Sequence, residues 1–219
     1  MQAYKSLTQI VVEQLRERIF SGGAQPGTRL SIVDLAKEFK ISALPVREAL
    51  RNLEAEGLVE FFPNKGVVVK ALSAAEVREI FLIRGPLEET AATAAVVNWD
   101  SEEKIALLES ILKQMDQTAD KDVWNRLHGQ FHQEIYALSN YPKVMQLAGL
   151  FRGQMRIYTR LYLDTVHQRM QAQAEHHEMV ACLKERDVER IRDVVNRHLE
   201  RPAQIVLSAL EGKNAAQLR

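Results

Sequence analysis

The chain has 219 residues, long enough for a small domain and a larger second one, each with its own core. Its 29 basic and 29 acidic residues cancel, so bulk charge neither supports nor excludes a nucleic-acid partner; residues 1–72 carry 10 Lys+Arg against 8 Asp+Glu, the remainder 19 against 21. The lone Cys182 rules out an intrachain disulfide and fits a buried structural thiol. With no signal-peptide pattern and no apolar run of membrane-spanning length, the expectation is a cytoplasmic protein with no membrane partner.

In chain order, the first clear pattern is Ile32 to Phe39, where Ile32, Leu35, Ala36 and Phe39 fall at i, i+3, i+4, i+7 and make one apolar helix face. Lys40-Ile41-Ser42 reads as a turn. Ser42 is expected to cap a second helix from about Ala43, in whose first turn Pro45 is tolerated. Along that helix Val46, Ala49, Leu50 and Leu53 face inward, while Arg47 and Arg51, one turn apart, share the outer face, where they can hold adjacent phosphates. Leu58–Phe62 and Val67–Lys70 are rich in strand formers around Pro63-Asn64-Lys65-Gly66, a turn with a cation at its tip and a glycine that allows close approach to a groove. Two short helices followed by a ribbon predict a winged helix-turn-helix, with double-stranded DNA as the partner.

The strand pattern ends near Ala71-Leu72, and Ser73 with Glu76 three residues on makes a capping box. This divides the chain into residues 1–72 and 73–219. Helices are predicted over 74–97, 101–119, 121–139, 143–163, 166–186 and 188–210, with kinks or breaks at Pro86 and Pro202. The fold class is therefore mainly α: a winged helix-turn-helix with a small β-hairpin wing, followed by an all-α helical bundle.

The chemistry of the bundle lies in its histidines. His128 and His132, four apart, share one helix face, the spacing at which two imidazoles converge on one metal ion, and His176 and His198 sit on later helices. A single helical histidine is more often a surface or hydrogen-bonded core residue, the role assigned to His167 and His177.

The run Pro45-Val46-Arg47-Glu48-Ala49-Leu50-Arg51-Asn52-Leu53-Glu54-Ala55-Glu56-Gly57-Leu58-Val59 resembles the recognition-helix signature of the GntR family of bacterial transcription regulators. Pro26-Gly27-Thr28-Arg29-Leu30 resembles the family's approach to its second helix, and Leu7–Phe20 supplies the first. The family has Ser-Arg-Thr before Pro-Val-Arg-Glu where this chain has Ser42-Ala43-Leu44; its arginine reaches a base edge, which Ala43 cannot do. Either the operator is unusual or Arg47, Arg51 and the wing carry more of the recognition. The DNA-binding set implied is Ser42, Ala43, Leu44, Arg47, Arg51, Lys65 and Gly66.

Phe131-His132-Gln133-Glu134-Ile135-Tyr136 with Asn140, then Glu175-His176, Asp187 and His198, resemble the ligand-binding FCD domain of the FadR-type branch. The resemblance implies metal ligands at His128, His132, His176 and His198, with His128 replacing the family's Asp or Asn. Imidazole donors suit Zn(II) first and Ni(II) second. Arg84, in Arg84-Gly85-Pro86-Leu87-Glu88, matches the family's Arg-x-x-Leu-Glu arginine, a partner for an effector carboxylate or for Glu88 one turn on; Arg152, Arg156 and Tyr158 are further effector candidates. The resemblance thus implies a homodimeric regulator of a palindromic DNA operator that binds a divalent metal and a small organic acid. A metal sensor without organic effector is the alternative. A metal-dependent hydrolase is disfavoured, because there is no His-Glu-x-x-His and neither Glu134 nor Glu178 is singled out as a general base.

Overall fold

Ser6 starts the first helix with a reciprocal cap: its Oγ accepts from Gln9 N at 3.2 Å, and the Gln9 side chain accepts from Ser6 N at 2.8 Å. The computed structural model describes residues 5–63, 66–162 and 165–217. Among these the order is α1 (Leu7–Phe20), β1 (Arg29–Leu30), α2 (Ile32–Phe39), α3 (Ala43–Ala55), β2 (Val59–Phe62), β3 (Gly66–Val69), α4 (Ala74–Asn98), α5 (Glu102–Gln117), α6 (Lys121–Ala137), α7 (Pro142–Tyr162), α8 (Val166–Glu185) and α9 (Val188–Gln217). The fold is mainly α with a small antiparallel wing, as the sequence predicts.

In the helix-turn-helix, α2 is capped by Ser31 and stopped by Lys40, whose left-handed backbone (φ 56°) turns the chain toward α3. Ser42 occupies the cap position of α3 in extended conformation, but its hydroxyl makes no capping bond, which corrects the expectation. The reason is local: the third helical residue is Pro45, which lacks the N–H that a cap side chain most readily accepts. Val46, Ala49, Leu50 and Leu53 are fully buried, as the 3.6-residue period requires. The helix ends where Leu58 N donates to Leu53 O and Gly57 N to Glu54 O, both at 2.9 Å, with Gly57 at φ +72°.

The wing is three-stranded in the order β1-β3-β2, antiparallel throughout, with Val59 opposite Val69 and Phe62 opposite Gly66. The two-residue β1, which the sequence reading passes over, pairs Arg29 with Val68 and Leu30 with Val67. Val67 and Val69 bury one face of the central strand.

In the bundle α4 lies along α9, and α5 lies against α6 and α8. Ala91, Ala92 and Ala95 are fully buried, joined in the core by Leu108, Phe131, Ile135, Met179 and Val194. Arg186 closes the end of α4: its guanidinium donates to the carbonyls of Val96 (2.8 Å) and Trp99 (3.0 Å) and lies over the Trp99 ring. Helix α4 runs on through Pro86 and α9 through Pro202, so neither proline ends its helix. Cys182 is buried, which pushes its thiol up to about 11 and keeps it unreactive.

Packing groups the residues into two compact units, one of Met1–Ser73 with Gly153–Arg160, the other of Ala74–Arg152 with Leu161–Arg219. Part of α7 thus packs with the first unit, where Gln154 Nε2 donates to Glu56 O at 3.0 Å and the Tyr158 hydroxyl accepts from Leu72 N. Gly57 sits under this contact. A Cβ there would need a left-handed backbone and would meet the Gln154 side chain, so Gly57→Ala should cost about 1–2 kcal/mol. The measurement is the thermal unfolding midpoint, which falls; an unchanged midpoint would show that the left-handed turn is not required.

Candidate functional site

On α3 the residues Ser42, Ala43, Leu44, Arg47 and Arg51 are all solvent-exposed. Leu44 is an apolar side chain left 65% exposed at the start of the helix. Arg51 is braced rather than extended: it pairs with Glu54 at 2.6 Å and its guanidinium lies 3.8 Å from the centre of the Phe61 ring. Glu54 also accepts from Phe61 N at 3.2 Å, so this cluster joins α3 to β2. Lys65 lies outside the described residues. Gly66 has φ +82°, and the exposed Arg29 of β1 lies beside it, its Nε 3.5 Å from where a Cβ would stand. Arg29 is a wing cation that the sequence reading missed, because nothing in Pro26–Leu30 signals a strand so short.

The four histidines of the bundle meet. Helix α6 supplies His128 and His132, α8 supplies His176 and α9 supplies His198, and one ligand atom from each lies within 4.8 Å of all the others. The Nε2 atoms of His128 and His198 each stand 3.2 Å from Nε2 of His132. Four nitrogens about 2.0–2.1 Å from one tetrahedral ion would stand about 3.3 Å apart, so these separations suit a shared cation.

The partners of the opposite ring nitrogens fix where the protons are. Tyr136 donates its hydroxyl proton to Glu88, so its oxygen is left to accept from His132 Nδ1 at 3.2 Å. His198 Nδ1 donates to Glu175 Oε2 at 2.8 Å, and Arg201 pairs with the other carboxylate oxygen. Gln173 spends its amide N–H groups on Leu112 O and Asp116 Oδ1, which turns its carbonyl oxygen toward His176 Nδ1 at 3.3 Å. Each of these three rings therefore carries its proton on Nδ1 and offers a bare lone pair at Nε2. Nε2 of His132 and Nε2 of His198 face each other with no hydrogen between them, and Nε2 of His176 is buried with no hydrogen-bond partner. Such converging lone pairs could hold a cation.

Burial, then the positive charge of Arg152, holds His128 and His132 well below the ordinary histidine value; His176 is lowered likewise by burial, His198 and Arg152. His198 is lowered by burial against the opposing pull of Glu175. Burial alone would raise Glu88, but Arg84 and Arg152 outweigh it and keep the carboxylate charged. Of the residues singled out for an effector, Arg84 is buried in an ion pair with Glu88. Arg152 reaches His128. Arg156 lies over the Phe20 ring and Tyr158 bonds Leu72, both in the first unit, whereas the quartet belongs to the second. His177 pairs with Asp116 at 3.0 Å outside the quartet. Sequence reasoning missed Gln173, Arg201 and the Glu88–Tyr136 link; only Tyr136, one turn from His132, carried a local signal.

The folded imidazoles resist protons that unfolded ones accept near 6.5. The unfolded chain therefore binds more protons below that pH, so the contribution is full above 6.5 and lost as pH falls through the depressed values. Metal-free protein should show a melting temperature that declines once pH drops below 6.5, and less steeply in His176→Gln. Equal slopes in the two proteins would remove the imidazoles as the cause.

Residues 7–69 match the family described as bacterial regulatory proteins, gntR family, and residues 79–201 match the FCD domain. The chain is 29% identical over 203 residues to the uncharacterized HTH-type transcriptional regulator YdhC of Bacillus subtilis (strain 168), covering 90% of each chain. It is 28% identical over 212 residues to the HTH-type transcriptional repressor GlaR of Escherichia coli (strain K12), covering 90% of this chain and 94% of that one. Its structure is similar to that of E. coli McbR/YncC, with a TM-score of 0.82 and 26% identity over 94% of this chain and 99% of that one. These relatives are regulators, not enzymes, and among the described residues no helix is long and apolar enough to cross a membrane. The chain belongs to the GntR family: it is a DNA-binding transcription regulator with an N-terminal gntR-type winged helix-turn-helix and a C-terminal FCD domain.

Proposed function

We propose that this regulator carries one divalent metal per chain, Zn(II) first and Ni(II) second, on His128, His132, His176 and His198, and that its operator affinity responds to a small organic acid bound beside that metal. The observation that supports this most is the set of three Nε2 lone pairs, each with its Nδ1 proton already committed to an oxygen, converging on one point. The donor set is all imidazole, which favours Zn(II) and Ni(II) over the hard, oxygen-preferring ions. Arg84 spends its Nε on Glu88, so attraction of a carboxylate rests more on Arg152 than the sequence suggests.

DNA reading is assigned to residues 1–72 and effector binding and dimerisation to 73–219. Ser42, Ala43, Leu44, Arg47, Arg51, Lys65 and Gly66 are the proposed operator contacts, joined by Arg29. A homodimer on a palindromic operator in the cytoplasm is the arrangement we favour. Exposed Leu82, Ile83, Pro86, Thr90 and Val97 share one face of α4, a stripe that a second copy would cover. The effector then acts by population shift, favouring one spacing of the two reading heads. The metal-sensor reading has its own support: four imidazoles complete a tetrahedral shell and leave no open position for an acid.

Arg47→Ala should weaken operator binding and lower the slope of log K against log salt by about 1, as loss of one phosphate contact requires. Arg51→Ala should change the slope less, because Glu54 already neutralises that guanidinium. Equal slopes in wild type and Arg47→Ala would remove Arg47 as a phosphate contact.

Elemental analysis should find one metal per chain in wild type and none retained in His176→Ala, and added Zn(II) should raise the melting temperature of wild type alone. Operator titrations with metal-free and metal-loaded protein, with and without acids that shift its melting, separate the two readings. A change in affinity of about 5–150-fold on adding acid supports the organic effector. The same change from metal removal alone, with nothing added by any acid, makes the protein a metal sensor.

A further inference from the structure

One histidine of the quartet is unlike the other three. His132, His176 and His198 are buried, with Nδ1 facing an oxygen that accepts its proton; His128 is half-buried, and its Nδ1 faces a guanidinium. Arg152 Nη2 stands 3.5 Å from His128 Nδ1 and 3.4 Å from the His128 carbonyl oxygen. An arginine nitrogen only donates, so His128 Nδ1 has to accept. Its ring proton then sits on Nε2, from which it points at the Nε2 lone pair of His132, 3.2 Å away. In this arrangement His128 is a hydrogen-bond donor to a ligand and not itself a ligand. Its ring is kept in place by the Trp124 indole, stacked at 4.8 Å between centroids and 20° between planes.

We infer that His128 is a recruitable ligand held off by Arg152: it joins His132, His176 and His198 around a divalent cation only when the guanidinium withdraws and the ring releases its Nε2 proton to water and takes one at Nδ1. His128 is the one ring of the four that is not fully buried, which gives water access for that exchange. An anion that draws Arg152 into a bidentate pair removes the obstacle, so anion and cation binding reinforce each other. The inference rests on the metal-binding reading above and deepens it by naming the residue pair through which the site is regulated.

Two measurements test it separately from that reading. Long-range proton–nitrogen correlation spectra of metal-free, imidazole-labelled protein report ring tautomers with no metal added. Nδ1–H forms are expected for His132, His176 and His198, and the Nε2–H form for His128 alone; an Nδ1–H form at His128 overturns the proposal whatever the metal does. The second is a double-mutant cycle on Zn(II) affinity, read by competition with a chromophoric chelator in wild type, Arg152→Gln, His128→Ala and the double variant. Glutamine can accept from His128 Nδ1, so Arg152→Gln should tighten Zn(II) by about 10-fold or more when His128 is present and far less when it is absent. Equal tightening in both backgrounds would show that Arg152 acts only as a nearby charge and would overturn the proposal, as would no tightening in either. Should Arg152→Gln not fold, Arg152→Met, which has neither the charge nor a donor to hold His128 Nδ1 as an acceptor, replaces it with the same expected direction. Wild type that binds no Zn(II) at all would sink the metal reading and this inference together, a result distinct from the others.

Discussion

The second domain is organised around three hydrogen bonds that point away from its centre. Each fixes one imidazole proton on Nδ1 and so leaves a lone pair facing inward, and each draws on a different part of the bundle: Tyr136 with Glu88 of α4, Gln173 with α5, and Glu175 with Arg201 of α9. An unpaired buried polar group is costly, and here the Nε2 acceptors of His132 and His198 stand 3.2 Å apart while that of His176 is buried without a hydrogen-bond partner. The surrounding network orients the three rings, which an apolar core of the same shape would not need.

The same network sets the electrostatics. Arg84 and Arg152 keep Glu88 ionised although it is fully buried, and Glu88 in turn holds the Tyr136 hydroxyl as a proton donor, which leaves the tyrosine oxygen for His132. Arg84 is therefore tied to the histidine quartet through Glu88, Tyr136 and His132. Glu88 occupies Arg84, whereas Arg152 meets the quartet directly at His128.

Much of this was legible because it is periodic. The apolar residues of α2 and α3 repeat with the helical period, the His128–His132 pair needs only one turn of helix, and the recognition-helix run is long enough to carry a family resemblance. What escaped was non-local or set by a single neighbour. Strand β1 is two residues long and exists because β3 offers it an edge. The hydroxyl of Ser42 has no capping role because Pro45 removes the amide it would take. Glu175 meets His198 across 23 residues and Glu88 meets Tyr136 across 48, contacts that only the packed bundle creates. Arg152, Arg156 and Tyr158 are all effector candidates by sequence, yet Arg156, about 6 Å further along the helix on nearly the same face, lies over Phe20, and Tyr158, about 120° round from Arg152, bonds Leu72.

The division of α7 between the two units has the same rotational origin. The helix is continuous from Pro142 to Tyr162; its Arg152 belongs to the second unit, while Gln154, two residues on, belongs to the first and donates to the carbonyl of Glu56 at the end of α3. Two residues along a helix turn about 200°, so Arg152 and Gln154 face nearly opposite ways and pack with different groups although they are near neighbours in sequence.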